Sequence, residues 1–402
     1  MRIVNGTVFL EEGVFRQGDL VIQGEYIASF HSSPEHCPGA EEEVLDASGC
    51  LVLPGLVDIH LHGCGNRDFS DGEVNALAEI AKREASWGIT SLCGAAMTLP
   101  ESRLLKAAEA VKEYQESFRQ REPRRYRQGA RILGLHMEGP FIAASRKGSQ
   151  KEEDIRLPDS GLVARLQEAS GGRVRILTFA PELPGAEGLI REWKDKMTLS
   201  AGHTDAKYET ALEAMRQGVC HVTHLCNAMN PFLHRAPGVL GAASDMPRVM
   251  VELIADGIHN HPSMVRNVFR IFGDRRVILV SDSMRAAGMG DGIFELGGQK
   301  VYVRGKKALL EDGTIAASVT NLYECLRTCA RDMGIPLESA LRCASLNPAL
   351  SIGAEREVGS ISPGKYADLL LADPQTLELR QVILRGQILE KREKPWDGIR
   401  KG

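Results

Sequence analysis

Two histidines separated by one residue stand at the end of a long apolar run, in the segment Asp58-Ile59-His60-Leu61-His62. Side chains alternate across an extended strand, so His60 and His62 point to the same side of the backbone. Their imidazole nitrogens then converge on one point. Such nitrogen donors are typical ligands of Zn²⁺, Fe²⁺, Mn²⁺ or Co²⁺. The pair therefore indicates a divalent metal site.

Further imidazoles and carboxylates follow other apolar runs. Glu138 occurs in His-Met-Glu-Gly-Pro-Phe, His203 in Ser-Ala-Gly-His-Thr-Asp and His224 in Thr-His-Leu-Cys. A mixture of imidazole and carboxylate suits a catalytic divalent ion, and the lack of a thiolate set argues against a structural zinc site. We therefore expect these three residues to be metal ligands together with His60 and His62.

Asp282, in Leu-Val-Ser-Asp-Ser, is the candidate acid and base. A metal ion activates water and polarises carbonyl groups, and a carboxylate beside that water can move its proton to a departing amine nitrogen. A metal ligand or a helix cap is the alternative role of Asp282. A nucleophilic serine would need a Gly-x-Ser-x-Gly elbow, which the sequence lacks. His221 faces away from His224 on a regular strand and is interpreted as structural.

The candidates lie at the ends of predicted strands that alternate with helices. Eight such units predict an α/β fold, a (β/α)₈ TIM barrel, in which reacting groups come from the carboxyl ends of the strands. A doubly wound sheet is the second choice. The predicted strands are Leu51–Ile59, Ile89–Ala95, Arg131–His136, Val174–Phe179, Met197–Ala201, His221–Leu225, Val249–Ala255 and Val277–Val280. The predicted helices include Glu73–Ser86, Leu104–Arg119, Lys207–Arg216, Ser263–Phe272, Asn321–Met333 and Leu337–Ala344, and a hairpin is predicted within Phe294–Ala316.

Both ends of the chain show short alternating runs broken by turn residues, which predict strands. Neither end alone would form a stable sheet, so we expect a small β-sandwich domain built from both termini. Residues 1–50 and 355–402 would form this domain, and residues 51–354 would form the barrel. The predicted terminal strands are Ile3–Phe9, Leu20–Ile22, Tyr26–Phe30, Ala367–Leu371 and Val382–Leu389.

The composition is that of an ordinary globular protein, with 43% hydrophobic residues and a formal net charge of −4 over 402 residues. We expect neither a nucleic-acid partner nor a membrane partner. The basic stretch Arg119–Arg131 is interpreted as a solvated helix end and loop. Nine cysteines without zinc-ribbon spacing, and an N-terminus without a secretory signal, favour a cytoplasmic location.

Several segments are similar to those of one enzyme family. They are Leu-Pro-Gly-Leu-Val-Asp-Ile-His-Leu-His-Gly, Gly-Leu-His-Met-Glu-Gly-Pro-Phe, Ala-Gly-His-Thr-Asp, Thr-His-Leu-Cys-Asn-Ala-Met, Arg-Ala-Pro-Gly, Ile-Ala-Asp-Gly-Ile-His and Val-Ser-Asp-Ser-Met. In this order they resemble the N-acetylglucosamine-6-phosphate deacetylases of the amidohydrolase superfamily. The resemblance implies metal-dependent hydrolysis of the N-acetyl amide of N-acetyl-D-glucosamine 6-phosphate to D-glucosamine 6-phosphate and acetate. It assigns the catalytic metal to Glu138, His203 and His224, and the proton shuttle to Asp282.

The same resemblance implies a set of substrate contacts and a homodimer. Arg235 would bind the phosphate of the substrate held by the neighbouring subunit, where a guanidinium fork suits a phosphate monoester. The other implied substrate-binding residues are Asn227, Ala228, Asp256, His259, Ile315, Ala316 and Ala317.

Two features vary within that family or depart from its commonest pattern. Some members lack the pair His60 and His62, which here makes a second ion, bridged through Glu138, chemically reasonable. Many members carry a histidine where this chain has Gln150, a substrate-binding candidate that can donate a hydrogen bond but cannot transfer a proton. The sequence is therefore compatible with one or two ions per subunit. It is also compatible with the galacto epimer as substrate, with a different amidohydrolase reaction (a deaminase, a cyclic-imide hydrolase or an N-acyl-amino-acid deacylase) and with a catalytically silent sugar-phosphate-binding scaffold.

Overall fold

The structure is a computed structural model that describes residues 1–32, 43–118, 120 and 126–389. Four of the six arginines in the basic stretch Arg119–Arg131, the end of the predicted helix Leu104–Arg119 and residues 390–402 lie outside this part of the chain. None of the described helices combines the length and apolar character needed to cross a membrane.

Eight parallel strands, each hydrogen-bonded to the next along the chain, form the central sheet and confirm the predicted barrel. We number these barrel strands β1 (Leu56–Leu61), β2 (Ile89–Ala96), β3 (Arg131–Glu138), β4 (Val174–Phe179), β5 (Thr198–Ala201), β6 (His221–Val222), β7 (Met250–Ile254) and β8 (Val277–Val280). Backbone hydrogen bonds at the carboxyl ends of the two strands join β8 to β1. The N–H of Asp282 donates to the carbonyl of His60 at 2.9 Å, and the N–H of His62 donates to that of Ser283 at 2.7 Å.

Amphipathic helices cover the outside of the barrel. They are α1 (Val74–Ser86), α2 (Glu101–Glu113), α3 (Ser160–Ala169), α4 (Ala186–Trp193), α5 (Tyr208–Gln217), α6 (Gly238–Ser244), α7 (Pro262–Phe272), α8 (Leu322–Arg331), α9 (Leu337–Ala344) and α10 (Leu346–Ser351). Helix α7 shows why they form. Pro262 occupies its first turn, and Val265, Val268 and Phe272 recur at helical spacing and are buried. Gly273, at φ 67°, ends it.

The first predicted strand, Leu51–Ile59, is divided at Gly55. Leu51–Pro54 pairs with residues of the terminal sheet, and β1 begins at Leu56. A Cβ at Gly55 would lie 2.1 Å from Oγ1 of Thr90 on β2, so any side chain larger than that of glycine would clash at this position. Both halves are buried on both faces, and an unbroken apolar run gives no sign of the division. The domain boundaries at residues 50 and 355 stay a proposal.

Strands from both termini join in one sheet, as predicted. Residues 2–9 pair with residues 15–23, and Leu369–Ala372 pairs antiparallel with Leu51–Pro54. Apolar side chains from both ends, including Val8, Val52 and Leu371, form one buried cluster. The strands of this sheet are Arg2–Phe9, Phe15–Gln23, Tyr26–His31, Val44–Asp46, Leu51–Pro54, Leu369–Ala372, Leu379–Leu384 and Gln387–Ile388.

Two further segments bear on the site. The predicted sixth strand, His221–Leu225, ends after Val222 because His224, at φ 29°, and Cys226, at φ 78°, turn the backbone out of the extended region. The predicted hairpin has three strands, Gly292–Leu296, Gln299–Arg304 and Lys307–Leu309. It leads into residues 315–318, which return to the mouth of the barrel.

Candidate active site

All five predicted metal ligands lie at the carboxyl ends of barrel strands. His60 and His62 end β1, Glu138 ends β3, and His203 and His224 follow β5 and β6. Each is at most 5% exposed. Because parallel strands of a barrel end at the same rim, residues up to 164 positions apart in sequence meet at one point.

Glu138, His203 and His224 form the first ligand group. Oε1 of Glu138 lies 2.9 Å from Nε2 of His224 and 3.0 Å from Nε2 of His203, and the two nitrogens are 3.1 Å apart. Nδ1 of His203 donates to the carbonyl of Arg146 at 2.9 Å, so its Nε2 is free to present a lone pair. Converging lone pairs of this kind fit a divalent cation.

His60 and His62 form a second ligand group with Glu138. Their Nε2 atoms lie 3.4 Å from Oε1 and 3.5 Å from Oε2 of Glu138, respectively. Nδ1 of His62 contacts the carbonyl of Ala95 at 3.3 Å, and Nδ1 of His60 contacts Oε2 of Glu252 at 2.8 Å. Both contacts place the proton on Nδ1 and aim Nε2 at Glu138, which fits a second cation.

Asp282 lies directly beside this cluster. Its Oδ1 is 3.2 Å from Nε2 of His62 and 3.7 Å from Nε2 of His60. Burial would raise the pKa of its carboxyl group, but protonated His60 and His62 rings would hold the pKa below the ordinary value, as a bound cation would. Burial likewise opposes ionisation of Glu138, while His203 and His60 hold its pKa well below the ordinary value. Both carboxylates are therefore ionised at neutral pH.

Two candidate metal ligands and the candidate acid and base have left-handed backbone conformations. The φ angles are 47° at His203, 29° at His224 and 48° at Asp282. Non-glycine residues adopt this region at a cost of about 1–3 kcal/mol, and such strain is concentrated at functional sites. The strand ends are thus bent so that these side chains turn inward over the barrel.

Gln150 is buried against the first ligand group. Its Oε1 accepts a hydrogen bond from the backbone N–H of Thr98 at 2.5 Å, and its Nε2 donates to Oε2 of Glu138 at 2.8 Å. Nε2 also lies 3.4 Å from Nε2 of His203. The amide is thereby held with its donor group turned toward the metal-binding residues.

Five of the residues that the sequence resemblance assigned to the substrate lie next to this cluster. Nδ2 of Asn227 donates to the carbonyl of His224 at 3.3 Å, and the carbonyl of Ala228 accepts from the N–H of Thr204 at 3.1 Å. Asn227 and Ala228 therefore connect the two histidine loops. The N–H of Ser318 donates to the carbonyl of Asp282 at 2.8 Å. The segment 315–317 just before it, containing Ile315, Ala316 and Ala317, is thus next to the catalytic candidate.

Asp256 and His259 form a pair beyond β7. Nδ1 of His259 donates to Oδ2 of Asp256 at 2.7 Å, and the N–H groups of Ile258 and His259 both donate to Oδ1 at 2.9 Å. Burial lowers the pKa of His259, but the hydrogen bond and charge of Asp256 outweigh it and raise the pKa above its ordinary value. His259 can therefore present a positive charge to an anionic substrate.

Arg235 lies apart from the cluster. The N–H of Leu233 and the carbonyl of Ala236 close a tight turn at 3.2 Å, with His234 and Arg235 at its tip. Arg235 is exposed, and within the described residues it forms no salt bridge. Phe232 and Leu233, at the base of the turn, are each 52% exposed.

Glu252 was not predicted as a functional residue from the sequence. It lies in β7, is 0% exposed and contacts His60. A single carboxylate inside the apolar run Val-Met-Val-Glu-Leu-Ile was the available signal, because buried carboxylates are retained where they are paired or hydrogen-bonded.

A barrel whose strand ends gather two groups of residues that could bind a metal ion, with a further carboxylate beside them, is the arrangement expected of a metal-dependent hydrolase. The sequence model of the amidohydrolase family matches residues 51–393, and the chain belongs to this family.

More specific similarity extends over nearly the whole chain. It is 36% identical to the N-acetylglucosamine-6-phosphate deacetylase of Bacillus subtilis (strain 168), over 95% of each chain, and 30% identical to that of Homo sapiens, over 96% of this chain and 94% of the relative. The crystal structure of the deacetylase from Pasteurella multocida has a TM-score of 0.88 at 28% identity, covering 96% of this chain and 98% of that one. A mutant of the Mycobacterium smegmatis deacetylase in complex with N-acetyl-D-glucosamine-6-phosphate also has a TM-score of 0.88, at 29% identity over 97% and 99% of the two chains. The resemblance noted in the sequence is confirmed.

Proposed function

We propose that the protein hydrolyses the N-acetyl amide of N-acetyl-D-glucosamine 6-phosphate to D-glucosamine 6-phosphate and acetate. The observation that carries the proposal is the meeting of Glu138, His203 and His224 within 3.1 Å of one another, with Asp282 beside them. The relatives at 30% identity or more that are described above, and the two solved structures with a TM-score of 0.88, are named as deacetylases of that substrate.

The residues of the chain have separate tasks in this reaction. A divalent cation bound by Glu138, His203 and His224 would lower the pKa of a bound water molecule and polarise the acetyl carbonyl. Asp282, ionised and buried next to the ligands, accepts the proton of the attacking water and then gives it to the amine nitrogen. The amine therefore leaves in neutral form, which lowers the barrier to breaking the C–N bond.

The ring of residues around the cluster would hold the sugar phosphate. The backbone and side chains of Asn227, Ala228 and the segment 315–317 would contact the sugar next to the reacting amide. Asp256 orients His259, whose positive charge suits the phosphate group. Gln150 directs its amide protons toward the cluster and can turn one of them to the substrate.

We further propose that two divalent ions bind per subunit, drawn from Zn²⁺, Fe²⁺, Mn²⁺ or Co²⁺. Glu138 supports this because it belongs to both ligand groups, and each group offers three donor atoms. Its Oε1 faces His203, His224 and His60, and its Oε2 faces His62. The second ion would take over part of the carbonyl polarisation, a role that the neutral amide of Gln150 cannot fill alone.

We also propose a cytoplasmic location. The eight described cysteines support it, because all of them are free thiols.

The turn around Arg235 supports a homodimer in which this guanidinium reaches the neighbouring active site. Exposed Phe232 and Leu233 would bury apolar surface against the second copy.

Arg235→Ala should raise KM for the phosphorylated substrate by about 10- to 100-fold. This factor corresponds to the binding free energy of one charge-assisted hydrogen bond. KM for unphosphorylated N-acetylglucosamine should stay constant. Steady-state kinetics on both substrates measures this, with the exposed Arg216→Ala as control.

Mixing subunits distinguishes an arginine that acts in the partner's site from one that acts in its own. A heterodimer of Arg235→Ala and Asp282→Asn subunits has one complete site, because the Arg235→Ala subunit keeps Asp282 and receives Arg235 from the other. Statistical mixing should restore about a quarter of the wild-type activity at low substrate concentration. No recovery from a mixture shown to exchange subunits would contradict the proposal.

The proposed activity is tested by acetate release from the N-acetyl-hexosamine 6-phosphates of the gluco, galacto and manno series. Protein loaded with each candidate metal should release acetate fastest from the gluco substrate. Faster release from the galacto compound would reassign the substrate. Ammonia in place of acetate would indicate a deaminase, and tight binding of the sugar phosphate without turnover would indicate a silent scaffold.

A further inference from the structure

Glu252 is a fully buried carboxylate inside the barrel, below the metal-binding residues. Removing a carboxylate from water is unfavourable unless hydrogen bonds and opposite charge compensate for it. The contacts of Glu252 therefore show what the side chain stabilises.

One oxygen of Glu252 accepts two hydrogen bonds. Oε2 lies 2.8 Å from Nδ1 of His60 and 3.0 Å from the backbone nitrogen of His224. The two donors belong to different ligand groups, His60 to the second and His224 to the first. We propose that Glu252 is a positioning residue that aligns both ligand groups of the metal centre through this single oxygen.

The contact with His60 determines which nitrogen faces the metal centre. Because Nδ1 donates to the carboxylate, Nε2 carries the lone pair and points toward Glu138, 3.4 Å away. A carboxylate acceptor also makes the imidazole a stronger electron donor. Without this acceptor the His60 ring could rotate or exchange its proton between the two nitrogens.

His136 supports the same ring from its side. The two imidazole centroids are 4.4 Å apart, and Nδ1 of His136 donates to the carbonyl of Ile59 at 3.0 Å. Nε2 of His136 lies 2.7 Å from the hydroxyl of Thr178, so both nitrogens of this ring have hydrogen-bond partners that hold its orientation.

The contact with His224 stabilises a bent backbone. His224 has a φ of 29°, and its N–H donates to Oε2 of Glu252, while the next N–H, of Leu225, donates to the backbone carbonyl of Glu252 at 2.8 Å. Two successive amides of the bend thus bind one residue of β7. This arrangement keeps the His224 ring directed at Glu138.

Glu252→Gln should lower the affinity for both ions by about 10- to 100-fold, the usual effect of removing a residue that orients metal ligands. An amide oxygen is a weaker acceptor than a carboxylate, and an amide nitrogen placed at Oε2 would oppose both donors. Titration of the metal-free protein with Zn²⁺, followed by calorimetry, measures both affinities without substrate. The matched control is Glu84→Gln, because Glu84 is also buried, at 1% exposed, and contacts none of the ligands.

Two results would overturn the proposal. The first is a Glu252→Gln protein that binds both ions as tightly as wild type, or that loses no more affinity than Glu84→Gln. The second is wild-type protein that binds a single ion, because His60 would then belong to no second ligand group for Glu252 to align.

A measurement on the wild-type protein covers the case in which the variant does not fold. In the zinc-loaded enzyme, ¹⁵N-resolved NMR of the imidazoles should show the His60 proton on Nδ1, with the signal assigned by its loss in His60→Asn. A proton on Nε2 would contradict the role of Glu252. The inference rests on the proposed metal centre but not on the substrate, so failure of the deacetylase assignment would leave these readouts unaffected.

Discussion

Replacing Asp282 by asparagine should lower kcat for acetate release by about 10²- to 10⁴-fold, the typical contribution of a general acid and base. An amide at this position still contacts His62 but cannot accept the proton of water. Metal content should stay close to that of wild type, because Glu138 and the four histidines remain. Steady-state assays of acetate, with metal analysis of the same samples, measure both quantities.

The control for this substitution is Asp68→Asn. Asp68 is 1% exposed and accepts the N–H of Ser70 at 2.8 Å, so the same chemical change occurs in a buried but structural position. We expect Asp68→Asn to affect stability more than kcat. An Asp282→Asn enzyme that keeps its metal and more than about a tenth of wild-type kcat would exclude a proton-transfer role.

Glu138→Gln should abolish stable binding of both ions. Glu138 is the carboxylate common to both ligand groups, and a neutral amide removes its charge while placing N–H donors against the imidazole nitrogens. Residues that only orient ligands change metal affinity by about 10- to 100-fold, so loss of the shared ligand should exceed about 100-fold. Elemental analysis after dialysis against a chelator measures the bound metal, and activity should fall with it.

Glu182→Gln is the matched control for Glu138→Gln. Glu182 lies next to the His203 loop, where it accepts the hydroxyl of Thr204 at 2.5 Å and the N–H of Asp205 at 2.6 Å, but it belongs to neither ligand group. It should retain its metal. If Glu138→Gln kept one ion per subunit after dialysis, the shared position of Glu138 would be refuted.

The barrel and the positions of the metal-binding candidates were accessible from the sequence because buried parallel strands are short apolar runs that end in polar residues. His60 and His62 were recognisable through their spacing, and His203, His224 and Asp282 through their places after the apolar runs that form β5, β6 and β8. The regular alternation of strands and helices then located these ends on one rim.

Other features depend on contacts that local patterns do not encode. The division at Gly55 follows from its approach to Thr90 on the neighbouring strand. Glu252 gains its role from His60, 192 residues earlier in the chain. The bend at His224 replaced the end of a predicted strand because backbone hydrogen bonds to β7 outweigh the preference of the sequence for an extended conformation.

The most direct test of amide hydrolysis by this site is the fate of solvent oxygen. Metal-loaded protein and N-acetyl-D-glucosamine 6-phosphate are incubated in H₂¹⁸O, and the products are analysed by mass spectrometry. The proposed reaction predicts acetate that carries one ¹⁸O atom and D-glucosamine 6-phosphate with a free amine and no label. Asp282→Asn should form both products about 10²- to 10⁴-fold more slowly. Unlabelled acetate, or label in the sugar, would contradict attack of water on the acetyl carbonyl.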